Sequence, residues 1–371
     1  MPPSQRILIY AELLPNIRQI SVGCTLPSPI SEATRASVAT DGKALTVTHG
    51  GLSETIRLPE SVAPFPQLPV GNSGAAGLSW RLPLATALGG RVRSASEELV
   101  PWSATDLEPG SAVECRTCKL AIVGAGTLKV WKDLPSENWA EMMEFWHCHK
   151  PHKQTPHHDE EHLTNRGYGA SSRIATQPGV GFVDLTSFLL AESDLATSLA
   201  PLGVRNDHAS SVSVFKWQVL VKERSRNIPA LLPTLAQCVS AMLLATMARS
   251  GCSKSILLPM KPQATLSQDR PESESVIQTR GLLNLWVFNA NITFSSTEAP
   301  ESPAPAIKLF YRIISEAEAD RLLESITSDV QEISLHSDAI QNITEILNKS
   351  NSFIPDGDRQ FKEWTVGLLA K

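Results

Sequence analysis

The residues of this chain with the clearest chemical potential are cysteines and histidines that fall in two stretches. The stretch "CRTC" contains Cys115 and Cys118, and "WHCH" brings Cys148 between His147 and His149. A Cys-x-x-Cys spacing lets one tight turn present two thiolates to a tetrahedral ion. Thiolate and imidazole together are donors that suit zinc. The two stretches therefore predict the two halves of one zinc site.

We predict a structural zinc ion held by Cys115, Cys118, Cys148 and His149, with His147 as the alternative fourth ligand. Four protein ligands fill a tetrahedral site and leave no position for water, so such an ion would support the fold rather than catalyse a reaction. The other interpretation is two apolar cysteines in a strand and, separately, the polar end of a surface helix.

The remaining cysteines and histidines carry weaker signals. Cys24, Cys238 and Cys252 lie in apolar contexts that are typical of core or near-surface thiols. A polar segment after Pro151 contains most of the other histidines: His152, His157, His158 and His162. A Cys–His nucleophile would also need a positioned base and an oxyanion hole, and the sequence shows neither. The polar segment after Pro151 contains little that could hold these histidines in place, so we expect them to be solvated.

A predicted helix over residues 136–146 would bring the second half of the zinc site to the first. Ser136 is a good N-cap because its hydroxyl can accept a hydrogen bond from a free backbone N–H, and Glu137 suits the positive end of the helix dipole. The apolar residues recur at the spacing of one helix face: Trp139, Met142, Met143 and Trp146. Pro151 prevents continuation of the helix beyond "HCH".

Short β segments dominate the chain before this helix. Stretches such as "RILIYAELL", "IRQISVGCTL" and "ALTVTHGG" show partial alternation and are separated by Pro, Gly, Asp and Ser. After residue 178, strands such as "SVSVFKWQVLVKE" and "LLNLWVFNANITFSS" alternate with apolar helices. We therefore predict an α+β fold with a β-rich lobe at 1–149 that contains the zinc region, a polar His-rich linker at 150–178 and a mixed α/β lobe at 179–371.

Composition argues against several classes of protein. The net charge is −5 and no Lys/Arg block stands out, so we expect no direct nucleic-acid binding. No apolar run reaches the roughly 18 residues of a membrane span, and the N-terminus lacks the apolar core of a signal peptide. Six cysteines in 371 residues do not form a disulfide framework. We expect a soluble intracellular protein with reduced thiols and no contact with membranes.

Three stretches resemble one family. They are "CRTC" followed by "KDLPSENWAEMMEFWHCHKPH", the strand pair "LLNLWVFNANITFSS" and "AIKLFYR", and the C-terminal "RQFKEWTVGLLAK". Together they resemble the HECT-like family of ubiquitin-conjugating-enzyme-binding proteins, and "LPSENW" with "FWHCH" is the most specific part. The sequence departs from some members of that family at "GVRNDHASSVSV", where those members carry a second Cys-x-x-Cys and this chain has His208.

The resemblance implies a binding partner of a ubiquitin-conjugating enzyme that acts as a HECT-like ubiquitin-protein ligase, in the cytoplasm and nucleus. It also links fungal members to the pre-mRNA cleavage and polyadenylation machinery. The alternative function is therefore a zinc-stabilised adaptor or chaperone for the cleavage and polyadenylation endonuclease, without chemistry of its own. A ligase needs a thioester cysteine, and the sequence singles out none, because the best-placed cysteines are predicted zinc ligands.

Overall fold

The computed structural model describes residues 6–71, 75–85, 102–134, 176–196, 203–206, 210–222, 232–260, 281–300, 302–325 and 327–371. The chain forms two compact units. The first, which we call the terminal unit, combines Met1–Glu97 with Leu243–Lys371. The second, which we call the middle unit, is Glu98–Met242.

The terminal unit is built on a nine-stranded sheet. Its strands in chain order are β1 (Leu8–Leu14), β2 (Gln19–Thr25), β6 (Gly77–Pro83), β15 (Lys254–Pro259), β16 (Leu282–Ser296), β17 (Ala304–Ile314), β18 (Val330–Leu335), β19 (Gln360–Phe361) and β20 (Trp364–Ala370). The spatial order is β19-β20-β17-β16-β1-β2-β6, and β15 pairs with both β16 and β18. Strands from both ends of the chain therefore share one sheet.

Strand β16 is long enough to serve two neighbours along one edge. Residues 283–286 pair with β15 and residues 293–296 pair with β1, while β17 follows the other edge. The register with β17 shifts between Val287 and Asn289 and again between Asn289 and Ile292. Such irregularities bend a strand and increase its local twist. The bend lets one strand join the two halves of the sheet.

A small sheet of order β3-β4-β5 packs on one face of the large one. Its strands are β3 (Arg35–Val38), β4 (Ala44–His49) and β5 (Leu52–Arg57). Ile9 and Ile20 of the large sheet share a fully buried core with Val47 of the small one, and full burial of such a side chain stabilises the fold by about 1.5–3 kcal/mol. The paired glycines of "THGGLSETI" are typical of a hairpin turn, and the structure forms one here between β4 and β5, where Gly50 and Gly51 have positive φ.

Two capped helices complete the terminal unit: α2 (Glu316–Glu324) and α3 (Ser337–Asn351). Ser315 followed three residues later by Glu318 is a sequence pattern typical of a helix start, and the Ser315 hydroxyl accepts a hydrogen bond from the Glu318 N–H at 3.2 Å. Helix α3 packs closely on β20, because a Cβ on Gly367 would lie 2.8 Å from Leu347 Cδ2. Glycine at this position is therefore what allows the helix to approach the sheet.

The middle unit contains a five-stranded sheet of order β12-β13-β11-β10-β9 and a three-stranded sheet of order β14-β7-β8. Its strands are β7 (Ala112–Cys115), β8 (Ala121–Val123), β9 (Val130–Asp133), β10 (Val180–Val183), β11 (Ser187–Ala191), β12 (Gly203–Asn206), β13 (Ser211–Phe215) and β14 (Val219–Lys222). Side chains of both sheets form one core that includes Val113, Phe188 and Val214. Helix α1 (Leu235–Ser250) begins in this unit. Within the described residues, no helix has both the length and the apolar character needed to cross a bilayer.

The stretch "SVSVFKWQVLVKE" differs from its prediction as one strand. It forms β13 and β14, which belong to different sheets and are separated by a 3-10 turn at Lys216–Gln218. The Lys216 N–H donates to the Thr186 carbonyl at 2.9 Å at the start of this turn. Alternation alone could not reveal the break, because apolar residues continue on both sides of it.

The α+β prediction is confirmed, but the predicted lobes do not match the two units. Because β1 pairs with β16, and β17 with β20, N-terminal and C-terminal strands complete a single sheet. In the middle unit, β9 pairs in parallel with β10, across the segment predicted to separate the lobes. The predicted helix at 136–146 and almost all of the predicted linker at 150–178 lie outside the described residues.

Candidate functional site

The predicted Cys-x-x-Cys lies on the turn of the β7–β8 hairpin. Cys115 is the last residue of β7 and is buried, whereas Cys118 is exposed in the turn. The Cys115 N–H donates to the Leu120 carbonyl at 2.9 Å, and the Lys119 N–H donates to the Cys115 carbonyl at 3.0 Å. Lys119 adopts a left-handed φ of 62°, a conformation that favours glycine. The hairpin closes tightly enough to place both thiols on one turn.

The environment of Cys115 favours its thiolate. Burial acts to raise the pKa of this thiol, but hydrogen bonds from the backbone and side chains of Cys118 and Thr117 outweigh burial and lower the pKa below its ordinary value of 9.0. A thiolate that accepts backbone N–H groups is also the form of cysteine that binds metal ions. The turn therefore makes the thiolate of Cys115 easier to form than that of an ordinary cysteine.

Arg116 fixes the hairpin to the rest of the middle unit. Its backbone N–H donates to the Gln218 carbonyl at 2.8 Å. Its guanidinium donates to the carbonyls of Trp217 at 3.2 Å and Pro233 at 2.9 Å. Strand β14 also pairs with β7 beside Cys115. These contacts hold the two thiols in a defined position.

The two cysteines fit half of a zinc site by the chemistry of their donors. Cys148 and His149, and the alternative ligand His147, lie outside the described residues, as do His152, His157, His158 and His162. Within the ranges that the structure describes, no group of three or more His, Cys, Asp or Glu residues is arranged to hold a metal ion. The complete four-ligand site therefore stays a prediction.

The other described cysteines are placed as their apolar contexts predict. Cys24 in β2 and Cys238 in α1 are buried, and Cys252 is partly buried. Burial raises the pKa of Cys24 to about 12. Burial also raises the pKa of Cys238 to about 12, against the opposing charges of Lys216 and Arg116. Neither thiol is reactive in this state, because the nucleophile is the thiolate.

His49 is a buried polar residue that the sequence did not single out. Its Nε2 lies 2.8 Å from Ser28 Oγ, and its Nδ1 lies 2.8 Å from Thr34 Oγ1. Thr34 Oγ1 in turn accepts from the Ser31 N–H at 3.0 Å. Both ring nitrogens are thus satisfied, as buried polar groups usually are. We assign His49 a structural role in joining this loop to β4.

Sequence reasoning also missed an aromatic cluster on the large sheet. It lies on the face that the small sheet does not cover. We call it the aromatic face, and it consists of Trp286, Phe288, Phe310, Phe361 and Trp364. The Phe310 ring is central, with its centroid 5.0 Å from Phe288, 5.1 Å from Trp286 and 5.3 Å from Phe361. The spacing of Trp286 and Phe288 in "LWVF" is the available signal, because alternate strand residues share a face.

A cavity of about 630 Å³ opens beside Phe288, Phe310 and Phe361. At its floor, Lys308 Nζ lies 2.8 Å from Glu12 Oε2, and the Tyr10 hydroxyl donates to the same oxygen at 2.9 Å. Glu12 is almost fully buried. Burial raises the pKa of Tyr10 well above its ordinary value, and the Glu12 carboxylate adds to this effect. The floor of the cavity is therefore a rigid ion pair rather than a reactive group.

Comparison with known proteins identifies the family of the chain. The sequence profile of the family described as "HECT-like Ubiquitin-conjugating enzyme (E2)-binding" matches residues 12–366. An uncharacterized protein of Schizosaccharomyces pombe is 25% identical over 304 residues, which cover 74% of this chain and 79% of that protein. An uncharacterized protein of Saccharomyces cerevisiae is 22% identical over 280 residues, which cover 72% of each chain. No solved structure matches the chain.

The profile match spans strands of both units, from β1 in the terminal unit to β20 near the end of the chain. The chain therefore belongs to the HECT-like ubiquitin-conjugating enzyme (E2)-binding family. This membership confirms the family resemblance of the "CRTC", strand-pair and C-terminal stretches, and it implies a ubiquitin-related function that includes binding an E2.

Proposed function

We propose that this protein binds a ubiquitin-conjugating enzyme and works with it as a HECT-like ubiquitin-protein ligase. The observation that carries the proposal is the family match across residues 12–366. In such a ligase, a cysteine thiolate attacks the carbonyl carbon of the E2–ubiquitin thioester. A new thioester forms as the old one breaks, and the E2 cysteine leaves as a thiolate. The reaction therefore requires an accessible cysteine.

Exposure and pKa narrow the choice of acceptor among the described cysteines. Cys24 and Cys238 are buried, and each has a pKa of about 12, so neither can take part without local unfolding. Cys118 is exposed on the β7–β8 turn. For a protein without zinc at this turn, we propose Cys118 as the acceptor within the described part of the chain and Cys148 as the candidate outside it. A zinc ion held by these thiols would exclude the transfer and leave the adaptor function proposed below.

A transfer assay tests this proposal directly. The protein is incubated with E2 that carries ubiquitin, and the products are separated on a non-reducing gel. We expect a ubiquitin adduct of the protein that a thiol reductant removes. Cys118→Ser or Cys148→Ser should abolish the adduct, whereas Cys252→Ser is the control and should retain it. An adduct that persists in both the Cys118→Ser and the Cys148→Ser variant would contradict the assignment.

One observation favours a second function, that of an adaptor or chaperone without transfer chemistry. Hydrogen bonds lower the pKa of Cys115 on a turn that also holds Cys118, which favours metal binding. A metal-bound thiolate is a poor acyl carrier because its charge is already donated to the ion. On this proposal the partner is the cleavage and polyadenylation endonuclease, to which the family resemblance points. E2 binding without any thiol-sensitive adduct is the result expected for the adaptor. We propose a cytoplasmic and nuclear location for either function.

A further inference from the structure

Two aromatic side chains of the terminal unit are unusually accessible. Phe288 is 59% exposed and Phe361 is 45% exposed, and both contact the same buried ring, Phe310. Phe288 lies in β16 between Val287 and Asn289, where the register with β17 shifts. Phe361 lies in β19 and pairs with Trp364. Both rings are thus held at the surface by strands rather than by loops.

Rings held in this way are suited to binding. An aromatic side chain with few rotatable bonds offers a large contact area at a small cost in conformational entropy. Trp and Tyr in particular, in well-packed pockets, dominate the energy of protein interfaces. The cavity beside Phe288 and Phe361 is large enough to receive a side chain of a partner. Its floor, the Glu12–Lys308 ion pair, is fixed by Tyr10.

The charges around the aromatic face are mainly positive. Lys254 Nζ lies 5.4 Å from the centroid of Trp286, and Lys362 Nζ lies 5.7 Å from that of Phe361. Arg81 lines the cavity. Among the described residues, none of these three cations forms an ion pair. Two acidic residues line the cavity: Glu12, which neutralises Lys308, and Asp358, which has no ion pair within the described part of the chain.

The chain as a whole has a net charge of −5, so the positive charge around the aromatic face is a local exception. Complementarity of charge guides association and excludes wrong partners. The occupant that fits is therefore a protein surface with an apolar protrusion flanked by carboxylates. The Asp358 carboxylate disfavours a polyphosphate chain in the cavity itself, because it would repel the phosphates at close range.

We propose that the aromatic face is the surface on which the ubiquitin-conjugating enzyme docks. An apolar side chain of the E2 enters the cavity between Phe288 and Phe361, and carboxylates of the E2 face Arg81, Lys254 and Lys362. The inference rests on the E2 binding proposed above and adds the location and the chemistry of the contact.

The test measures the affinity of the full-length protein for a panel of purified ubiquitin-conjugating enzymes by isothermal titration calorimetry. Phe288→Ala combined with Phe361→Ala should weaken binding at least about tenfold, because exposed rings of this kind act as interface anchors. The matched control is Ile313→Ala, which removes a side chain that is 53% exposed at an odd-numbered position of β17 and so lies on the opposite face from Phe310. It should leave the affinity unchanged. Circular dichroism confirms that each variant is folded.

Charge reversal provides the second arm. Lys254→Glu with Lys362→Glu should also weaken binding, and the dependence of the affinity on salt should become shallower than in the wild type. Stronger E2 binding by this variant would overturn the proposed complementarity.

The remaining outcomes separate this inference from the function on which it rests. If the wild type binds an E2 and the double phenylalanine variant binds it equally well, the docking surface lies elsewhere and E2 binding stands. If the wild type binds no E2 of the panel, the proposed function fails. Two further results would assign the face to another occupant. One is a wild type that is dimeric in solution while the double phenylalanine variant is monomeric. The other is oligonucleotide binding by the wild type and by Ile313→Ala that the double phenylalanine variant has lost.

Discussion

At the scale of single residues, Lys216 is the most unusually placed charge of the middle unit. Its side chain is buried, its Nζ donates to the Trp102 carbonyl at 2.8 Å, and the Phe188 ring lies 6.0 Å away. Burial lowers the pKa of Lys216 from 10.5 to about 8, and the carboxylates of Asp184, Asp133 and Asp106 offset this only in part. A lysine in this position destabilises the fold at neutral pH while it fixes the backbone of Trp102.

The depressed pKa predicts how stability depends on pH. Below pH 8, both the folded and the unfolded chain carry protonated Lys216, so the cost of the buried charge is complete. Between pH 8 and 10.5, the unfolded chain holds the proton that the folded chain has lost, and the free energy of unfolding rises with pH. The rise is on the order of 3 kcal/mol.

Lys216→Met removes the titrating group. We therefore expect the difference in unfolding free energy between the wild type and this variant to change between pH 8 and 10, in favour of the wild type. Denaturant titrations at a series of pH values measure it, and the subtraction cancels other groups whose titration begins near the end of this range, such as Tyr311, whose pKa burial raises from 10.0 to about 12. A difference in unfolding free energy that does not change with pH would show that the pKa of Lys216 is not lowered in the folded protein.

At the scale of elements, the β7–β8 hairpin is the part of the fold most clearly arranged around its side chains. The hairpin places Cys115 and Cys118 on one turn. Arg116 anchors that turn to the carbonyl of Trp217, just after β13, and to the carbonyl of Pro233, just before α1. The left-handed φ of Lys119 shows that the turn keeps its geometry even without glycine. Such order is expected of a turn whose thiols bind a common ion.

We predict that the hairpin binds zinc together with Cys148 and His149. Cys118→Ser and Cys148→Ser should each lower the zinc content and destabilise the middle unit, because metal binding is coupled to folding. Metal analysis by mass spectrometry of tag-free protein, combined with thermal unfolding, measures both effects.

Two controls make the zinc prediction specific. Cys252→Ser removes a thiol outside the hairpin, and the pair His157→Ala with His158→Ala removes rings that we expect to be solvated, so both should retain the metal. Wild-type protein with less than about half an equivalent of zinc would refute the closed four-ligand site. If Cys148→Ser keeps its zinc while Cys118→Ser loses it, Cys148 is not a ligand and the site is completed by other residues.

At the scale of the whole molecule, the terminal unit is discontinuous in sequence. Strands β1, β2 and β6 come from its first segment, and the strands from β15 to β20 come from its second. The edge of β16 that pairs with β1 would expose unpaired backbone groups without the first segment. The first segment supplies the whole core between the large and the small sheet, whereas the core that contains Phe310 combines residues of the second segment with Tyr10 of the first.

Fragments should reflect this organisation. We expect residues 179–371 expressed alone to be unfolded or aggregated, because the large sheet then lacks β1, β2 and β6. Co-expression of residues 1–97 with 243–371 should restore a folded unit, which dispersed amide signals in a two-dimensional NMR spectrum would reveal. A soluble, dispersed fragment 179–371 would instead support the lobes predicted from the sequence.

Local sequence patterns determined much of what is local in this protein. Alternation predicts β16 and β17, the two glycines predict the β4–β5 turn, and Ser315 and Glu318 predict the start of α2. These features depend on neighbours a few residues apart, and backbone sterics and hydrogen bonds act at that range. The spacing of Cys115 and Cys118 likewise predicts one turn with two thiols, which the structure confirms.

Only the tertiary structure decided what joins distant parts of the chain. The pairing of Glu12 with Lys308 spans 296 positions, and the pairing of β1 with β16 has no local signal. The parallel pairing of β9 with β10 also has no local signal, since hydrophobic alternation shows that a strand exists but not which strand it pairs with. Likewise, the exposure of Phe288 follows from the packing of the sheet, because an aromatic residue in an apolar strand is otherwise expected in the core.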